Sequence, residues 1–258
     1  MLFKVGDYVT RNSYNNDTLF KITEIKGNIA ILKGVNVRLL ADSDLSDLKK
    51  CPEEEIKFDD DVVDDDAGEQ LDTDRDDFFY IPGLVLHIDG DVDYLKRSMK
   101  LYKRFKLLAY GVVLKEEMIA DCIRKCLTKI QPDIIVITGH DAHYKRGEND
   151  NLYKNSANFV KSIIEARKYE KAHDKLIIIA GACQSNYKEL IKAGANFASS
   201  PGGVNIHALD PAIVATNISL TEKNETIDLM GILLKTKYGK EGMGGIKTKG
   251  TMYIGYPK

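Results

Sequence analysis

Apolar residues follow one rhythm at the start of the chain and another after residue 78. Between residues 2 and 50 they alternate with polar ones in short segments, Phe3–Val9, Leu19–Ile25 and Ile29–Lys33. Turn residues such as Asn15-Asn16-Asp17 and Lys26-Gly27-Asn28 part these segments. Period-two spacing with hairpin punctuation predicts a small β-barrel of the SH3 or KOW type over residues 1–52. From Phe78 onward, aliphatic runs (Leu84–Ile88, Ala109–Leu114, Ile134–Thr138, Leu176–Ala180, Phe197–Ser199) take turns with helical stretches (Tyr94–Phe105, Glu116–Lys129, Ser156–Tyr169, Tyr187–Ala193). β-Branched runs bounded by charge on one side and glycine on the other suit strands buried on both faces. Their alternation with helices predicts right-handed βαβ units, hence an α/β fold with a mainly parallel sheet over residues 78–258. Past Ala208, Pro211–Thr216 and Ile227–Lys235 read as helices, and Lys249–Tyr256 as a late strand.

Charge marks the join between the two parts. Residues 53–77 hold fourteen carboxylates against Lys57 and Arg75, a balance of −12 in a chain whose total is −2. So dense a like-charge run, poor in apolar residues, predicts a solvated linker without fixed structure. Arg75 in that linker would be an accessible cut for a protease of basic specificity. The remainder is basic, yet the charge of the first 52 residues is too modest to argue for RNA, so a docking or stabilising module is expected there rather than a nucleic-acid binder.

Composition narrows the class further. The chain has 258 residues, 43% hydrophobic and 29% charged, enough for one good-sized domain and a small one. No apolar stretch approaches the roughly 18 residues needed to cross a membrane, so no membrane partner is expected. The opening Met-Leu-Phe-Lys-Val-Gly-Asp lacks the regions of a signal peptide, which predicts a cytoplasmic origin. Four irregularly spaced cysteines, Cys51, Cys122, Cys126 and Cys183, suit that reducing compartment. Cys122 and Cys126 lie four apart on a predicted helix, but no histidine or carboxylate pair completes a site. They read as packing residues, and neither metal nor cofactor is expected. Gly242-Met243-Gly244-Gly245 lacks the neighbours of a phosphate loop and reads as a flexible loop.

Candidate chemistry sits at two strand ends. His140 follows the run Ile134–Gly139, and Cys183 follows Leu176–Ala182. In open α/β sheets ligands gather outside the carboxyl ends of the strands, and consecutive parallel strands lie about 4.8 Å apart. A thiol there, just before the polar helix entry Gln184-Ser185-Asn186, would feel the positive end of the helix dipole. Cys183 is thus the candidate nucleophile and His140 its acid–base partner, with His143 and then His207 in reserve. His87, inside a strand, reads as a core residue, and His173, in a charged loop, as a solvated one. Such a pair supports acyl transfer, with thiolate attack on a carbonyl and protonation of the leaving amine by imidazole.

Two aliphatic blocks, the first ending in histidine and the second in Ala-Cys, resemble the caspase-like cysteine peptidases (caspases, legumain, gingipains, clostripain and separase). Here histidine precedes cysteine by 43 residues, near the spacing of about 50 known for caspases. Over essentially its whole length the chain also resembles the sporulation-specific cysteine proteases of spore-forming Firmicutes. The marks are Val5-Gly6-Asp7-Tyr8-Val9, Leu32-Lys33-Gly34-Val35 with Arg38-Leu39 and Ala41-Asp42, Leu86–Asp91, Thr138–Ala142 and Gly181–Ser185. The resemblance implies a caspase-like fold and a cysteine endopeptidase acting on spore coat and cortex-related proteins, in the mother cell or the assembling coat. In the caspase-like pattern glycine follows the histidine and its N–H helps bind the oxyanion. Here Gly139 precedes His140, so the oxyanion donors expected are the N–H groups of Cys183 and Asp141, with the Asp141 carboxylate turned away. The same pattern places a charge-selective pocket at the end of the first strand, where Asp89 and Asp91 stand. A buried carboxylate there would select Arg or Lys, with Asp89 the first candidate, although either could instead cap the following helix. Self-processing would follow from the same specificity.

Two rivals remain at this level. Gly181–Ser185 loosely echoes the nucleophile elbow of glutamine-amidotransferase-like hydrolases, which would require His207, the histidine after the cysteine. A receiver-like or scaffolding domain would leave Cys183 incidental.

Overall fold

The computed structural model describes residues 3–52, 56, 58–59, 78–146 and 150–256. The expected linker over 53–77, with Arg75, therefore lies outside the described residues except at positions 56, 58 and 59.

The period-two segments near the start pair into one antiparallel sheet. Its strands are β1 (Tyr8–Arg11), β2 (Phe20–Lys26), β3 (Ile29–Gly34), β4 (Leu40–Asp44) and β5 (Leu48–Lys50), ordered β4-β3-β2-β1-β5. A single 3-10 turn, Leu45–Asp47, leads from β4 into β5 and is capped by the Asp44 side chain on Ser46 N–H. The inward set Val9, Phe20, Ile22, Ala30, Leu32 and Leu48 is buried, as alternation demands.

The second part runs β6 (Phe79–Ile81), β7 (Val85–Asp89), α1 (Val92–Arg104), β8 (Ala109–Val113), α2 (Glu116–Ile130), β9 (Ile134–Thr138), β10 (His143–Arg146) and β11 (Asp150–Tyr153). It continues through α3 (Ser156–Tyr169), β12 (Ile177–Ala180), α4 (Tyr187–Lys192), β13 (Phe197–Ser199) and α5 (Asp210–Leu220). It closes with α6 (Leu229–Leu234), α7 (Gly239–Gly242), β14 (Met243–Gly245) and β15 (Tyr253–Gly255). The central six-stranded sheet has the order β14-β13-β12-β9-β7-β8. All its pairings are parallel except β13 with β14. The α/β class and mainly parallel sheet expected from the sequence are what the structure shows.

Alternate residues of each central strand serve opposite layers. Leu86, Ile88, Ile135, Ile137 and Ile178 pack with Ile119, Ile123 and Leu127 of α2, Phe159 and Ile163 of α3 and Leu190 of α4. Val85, Ile134, Val136, Ile177 and Ile179 pack on the other side with Leu101 of α1 and Ala212, Ile213 and Ala215 of α5. Val9, Phe20, Leu32, Val37 and Leu39 belong to this second cluster, so the small sheet and the larger one share a continuous apolar core. Helix α5 is buried over nearly its whole length, which accounts for its lack of an apolar stripe. Among the described residues no helix is long and apolar enough to cross a membrane.

Two expectations are corrected. The Gly242–Gly245 stretch is not a loop, because Met243–Gly245 form the antiparallel edge strand β14, with Ser199 opposite Met243 and Phe197 opposite Gly245. Backbone pairing makes this strand, and two glycines hide it from any side-chain pattern. The late strand is shorter than expected and stands apart from the central sheet, since β15 pairs only with β6.

Candidate active site

Register brings three candidate residues to one edge. Ile88, Ile137 and Ala180 stand in a paired row across β7, β9 and β12. Asp91, His140 and Cys183 each follow three residues beyond that row. Asp91 ends the crossover into α1 and caps it, accepting from the N–H groups of Asp93 and Tyr94. It also pairs with Lys33 Nζ at 2.6 Å. His140 Nε2 lies 3.3 Å from Asp91 Oδ2, without the alignment of a hydrogen bond. Its Nδ1 is 3.8 Å from Glu116 Oε1, while its backbone N–H donates to that same oxygen at 2.8 Å. The ring leans on Tyr94, centroids 5.2 Å apart.

Gly139 now has a physical reason. A Cβ there would come within 2.4 Å of Glu116 Oε1, as would one at Gly90. The two glycines make the slot for the Glu116 carboxylate beside His140. Burial pushes the carboxyls of Asp91 and Glu116 up, but His140, joined by Lys33 at Asp91, holds both below their ordinary value.

Cys183 is fully buried. Its Sγ lies 3.4 Å from Ile206 O, to which it donates, and accepts from Ile206 N–H at 3.2 Å. Its own N–H donates to the Arg38 carbonyl at 3.4 Å. Burial pushes the thiol up to about 12, and hydrogen bonding from Ile206 and the nearby Arg38 charge only partly oppose this. In this arrangement the sulfur is a neutral thiol, not the thiolate that the strand-end position predicts.

Asp89 ends β7 and is fully buried. Its Oδ2 receives Arg38 Nη1 at 2.8 Å and Thr138 Oγ1 at 2.9 Å, and Oδ1 accepts from Asp91 N–H at 2.9 Å. Burial pushes this carboxyl up, but Arg38 and His87 hold it well below the usual carboxylate range. Arg38 is equally buried, its Nε donating to Ala208 O at 3.0 Å and its guanidinium 4.9 Å from the Tyr94 ring centroid. Of the two aspartates expected to meet a cation, Asp89 holds a guanidinium and Asp91 an ammonium, both from the small sheet's hairpin.

Asp141 turns its carboxylate into the protein. It accepts from Ala142 N–H, Asn155 N–H and the hydroxyls of Ser156 and Ser185. The loop carrying His140, the start of α3 and the loop carrying Cys183 are thus tied to one carboxylate. Its backbone faces Leu39, with which it forms an isolated parallel bridge.

The other histidines separate cleanly. His87 is a core residue, bonded to Tyr102 Oη at 3.0 Å and Thr138 Oγ1 at 2.8 Å. His143 stacks on Tyr153 with centroids 4.7 Å apart. His173 lies in an exposed turn. His207 neighbours the Cys183 contact residue Ile206, but burial, Arg97 and Lys237 push it down to about 3. Cys122 and Cys126 are half-buried on α2, and Cys126 packs on the apolar cluster beneath.

Sequence reasoning missed Arg38, Tyr94, Glu116 and the edge Ile206–Ala208. For Glu116 alone a signal existed, since two glycines precede acid or imidazole at the ends of neighbouring strands.

With this geometry in place, the comparisons with known proteins are decisive on family. The profile of the YabG peptidase U57 family matches residues 4–257. The chain belongs to the YabG peptidase family. The sporulation-specific protease YabG of Bacillus subtilis (strain 168) is 42% identical over 286 aligned positions, covering 100% of this chain and 99% of the relative. No solved structure matches. Membership in the YabG family makes the chain a peptidase.

Proposed function

We propose that the chain is a cysteine endopeptidase of sporulation, with Cys183 the nucleophile and His140 its acid–base partner, cleaving proteins after Arg or Lys. The observation that carries this reading is the shared register of the two residues, three positions beyond one paired row, with His140 held between Asp91 and Glu116. An imidazole beside the sulfur can take the thiol proton as the nucleophile forms. The thiolate would attack the scissile carbonyl carbon, and imidazolium would protonate the departing amine. Water then releases the acyl group. The N–H of Cys183 is one oxyanion donor, and that of Asp141, beside the leaving side, the second.

In this reading Asp89 recognises the basic side chain, because its carboxylate already holds a guanidinium in a dry setting. Asp91, shared by the α1 cap, Lys33 and His140, orients the histidine rather than meeting substrate. Residues 78–258 form the caspase-like catalytic domain. Residues 1–52 form the SH3-like barrel, supported by five antiparallel strands with a 3-10 turn before the last. The substrates are spore coat and cortex-related proteins met in the mother cell or assembling coat, in keeping with the name of the relative.

The test is turnover of peptides with Arg, Lys or a neutral residue before the cut. Cys183→Ala and His140→Ala should each lower kcat/KM at least roughly 10⁴-fold. His207→Ala should stay near wild type, since a base pushed so low contributes little at neutral pH. Loss in His207→Ala beside activity in His140→Ala would replace the reading with the amidotransferase-like one. Wild-type behaviour of Cys183→Ala would end both.

A further inference from the structure

The segment Asn36–Leu39, between β3 and β4, lies across the proposed site as a peptide strand would. Arg38 N–H donates to Ile206 O at 3.3 Å, and Ala208 N–H donates to Asn36 O at 2.9 Å, bracketing the antiparallel bridge Val37–His207. That is strand addition to an open edge, the backbone mode by which extended peptides are commonly bound. The Arg38 side chain enters the Asp89 pocket. Its carbonyl accepts the Cys183 N–H, the proposed oxyanion donor. One residue further, Leu39 bridges Asp141, next to His140. The Arg38–Leu39 junction is therefore flanked by the cysteine loop on one side and the histidine loop on the other.

We propose that Asn36–Leu39 is a built-in stand-in for substrate, with Arg38 in the place of the residue whose carbonyl is attacked, and that a peptide binds only when this hairpin leaves the Ile206–Ala208 edge. This rests on the peptidase reading above and deepens it, naming the strand-binding edge, the basic pocket and what occupies them at rest. The occupant is held off from reaction. Cys183 Sγ is engaged with both backbone groups of Ile206, and the hairpin keeps the sulfur out of water. Strict turn geometry seats it, since Tyr94 Oη is shared by the carbonyls of Gly34 and Val37. A Cβ at Gly34 would come within 2.3 Å of Val37 O, so only glycine closes this turn. Room to withdraw exists, for a cavity of about 390 Å³ lies beside the hairpin, lined by Lys33, Gly34, Val35, Tyr94 and Arg97 among others.

The test uses the full chain and the hairpin's own sequence, acetyl-Val-Asn-Val-Arg-Leu-amide carrying a fluorophore. Binding is measured by anisotropy in a Cys183→Ala background, so that it does not depend on turnover. Arg38→Gln empties the pocket but leaves Asp89 buried without its cation. Gly34→Ala keeps Arg38 and dislodges the turn instead. Each should bind the peptide at least about tenfold more tightly than the parent, because the competing occupant no longer hides the competent state. With Cys183 restored, iodoacetamide should label it at least about tenfold faster in Gly34→Ala than in wild type, in proportion to the exposed fraction. On the unaltered hairpin, saturating peptide should speed amide exchange within residues 35–39 and slow it within 206–208.

Folded variants with unchanged affinity would overturn the proposal, as would absence of peptide binding in every protein. Binding that leaves exchange in 35–39 untouched would overturn it too. Tight binding without turnover when Cys183 is present would sink the peptidase chemistry and uphold the occlusion. Turnover with unchanged affinity would do the reverse.

Discussion

Asp89 and Asp141 are both buried carboxylates at strand ends of one sheet, yet the protein keeps them by opposite means. Asp89 is matched by a charge, the Arg38 guanidinium delivered from the small sheet. Asp141 is matched by dipoles, two amides and two hydroxyls from its own α/β framework. Burial pushes both carboxyls up. The guanidinium more than reverses the push at Asp89, whereas the neutral donors leave Asp141 above its ordinary value. A charged partner that belongs to a separate hairpin can be exchanged for another cation. Fixed dipoles built into three loops cannot, which suits Asp141 to tying those loops together and, under the function proposed above, leaves Asp89 free to take a substrate's cation.

The largest effect that sharpens this contrast is on stability. Asp89→Asn strands the Arg38 charge in a dry setting and should cost about 3–5 kcal/mol in urea unfolding. Asp141→Asn should cost less, about 1–3 kcal/mol, because only hydrogen-bond partners are lost and hydroxyls can rotate to suit the amide. Equal costs would break the comparison. A second check is the pH dependence of those differences, read from melting temperatures. Asp89 is lowered in the folded state, so its contribution is complete above the unfolded value of about 3.9 and is lost as pH falls below it. Asp141 is raised, so its contribution is complete below that value and is lost as pH rises through the folded value. The stability gap to the Asn variant should accordingly narrow in acid for Asp89 and narrow toward neutrality for Asp141. The smallest effect concerns Thr138, whose hydroxyl touches both Asp89 and His87. Thr138→Val should cost about 1 kcal/mol and leave the Arg38 pairing in place, as one donor among several.

These contrasts also mark what the sequence discloses. The strands Ile134–Thr138 and Phe197–Ser199 and the helix Ser156–Tyr169 match their expected bounds, because aliphatic runs and helical spacing are local signals. The placing of His140 and Cys183 at equivalent strand ends was legible for the same reason, since neighbouring βα units pair. Arg38 was not, because its partners Asp89 and Ala208 stand 51 and 170 residues away. A lone arginine between two predicted strands carries no local sign of the partners that bury it. Nor could spacing show that Cys183 is fully buried, because its contacts Ile206 and Arg38 lie far from it in sequence. β14 was hidden by having almost no side chains to pattern.

The ladder of β6 with β15 has a mechanical consequence. Phe79 faces Gly255 and Ile81 faces Tyr253, so residues 78 and 256 leave the ladder at the same end. A pull that parts them would unzip the pairs one after another, each yielding at low force, rather than shear them together. Motion arriving along the acidic stretch upstream of Phe78 would thus be spent at this clasp. The sheet that carries Asp89, three residues past Leu86, would stay unloaded.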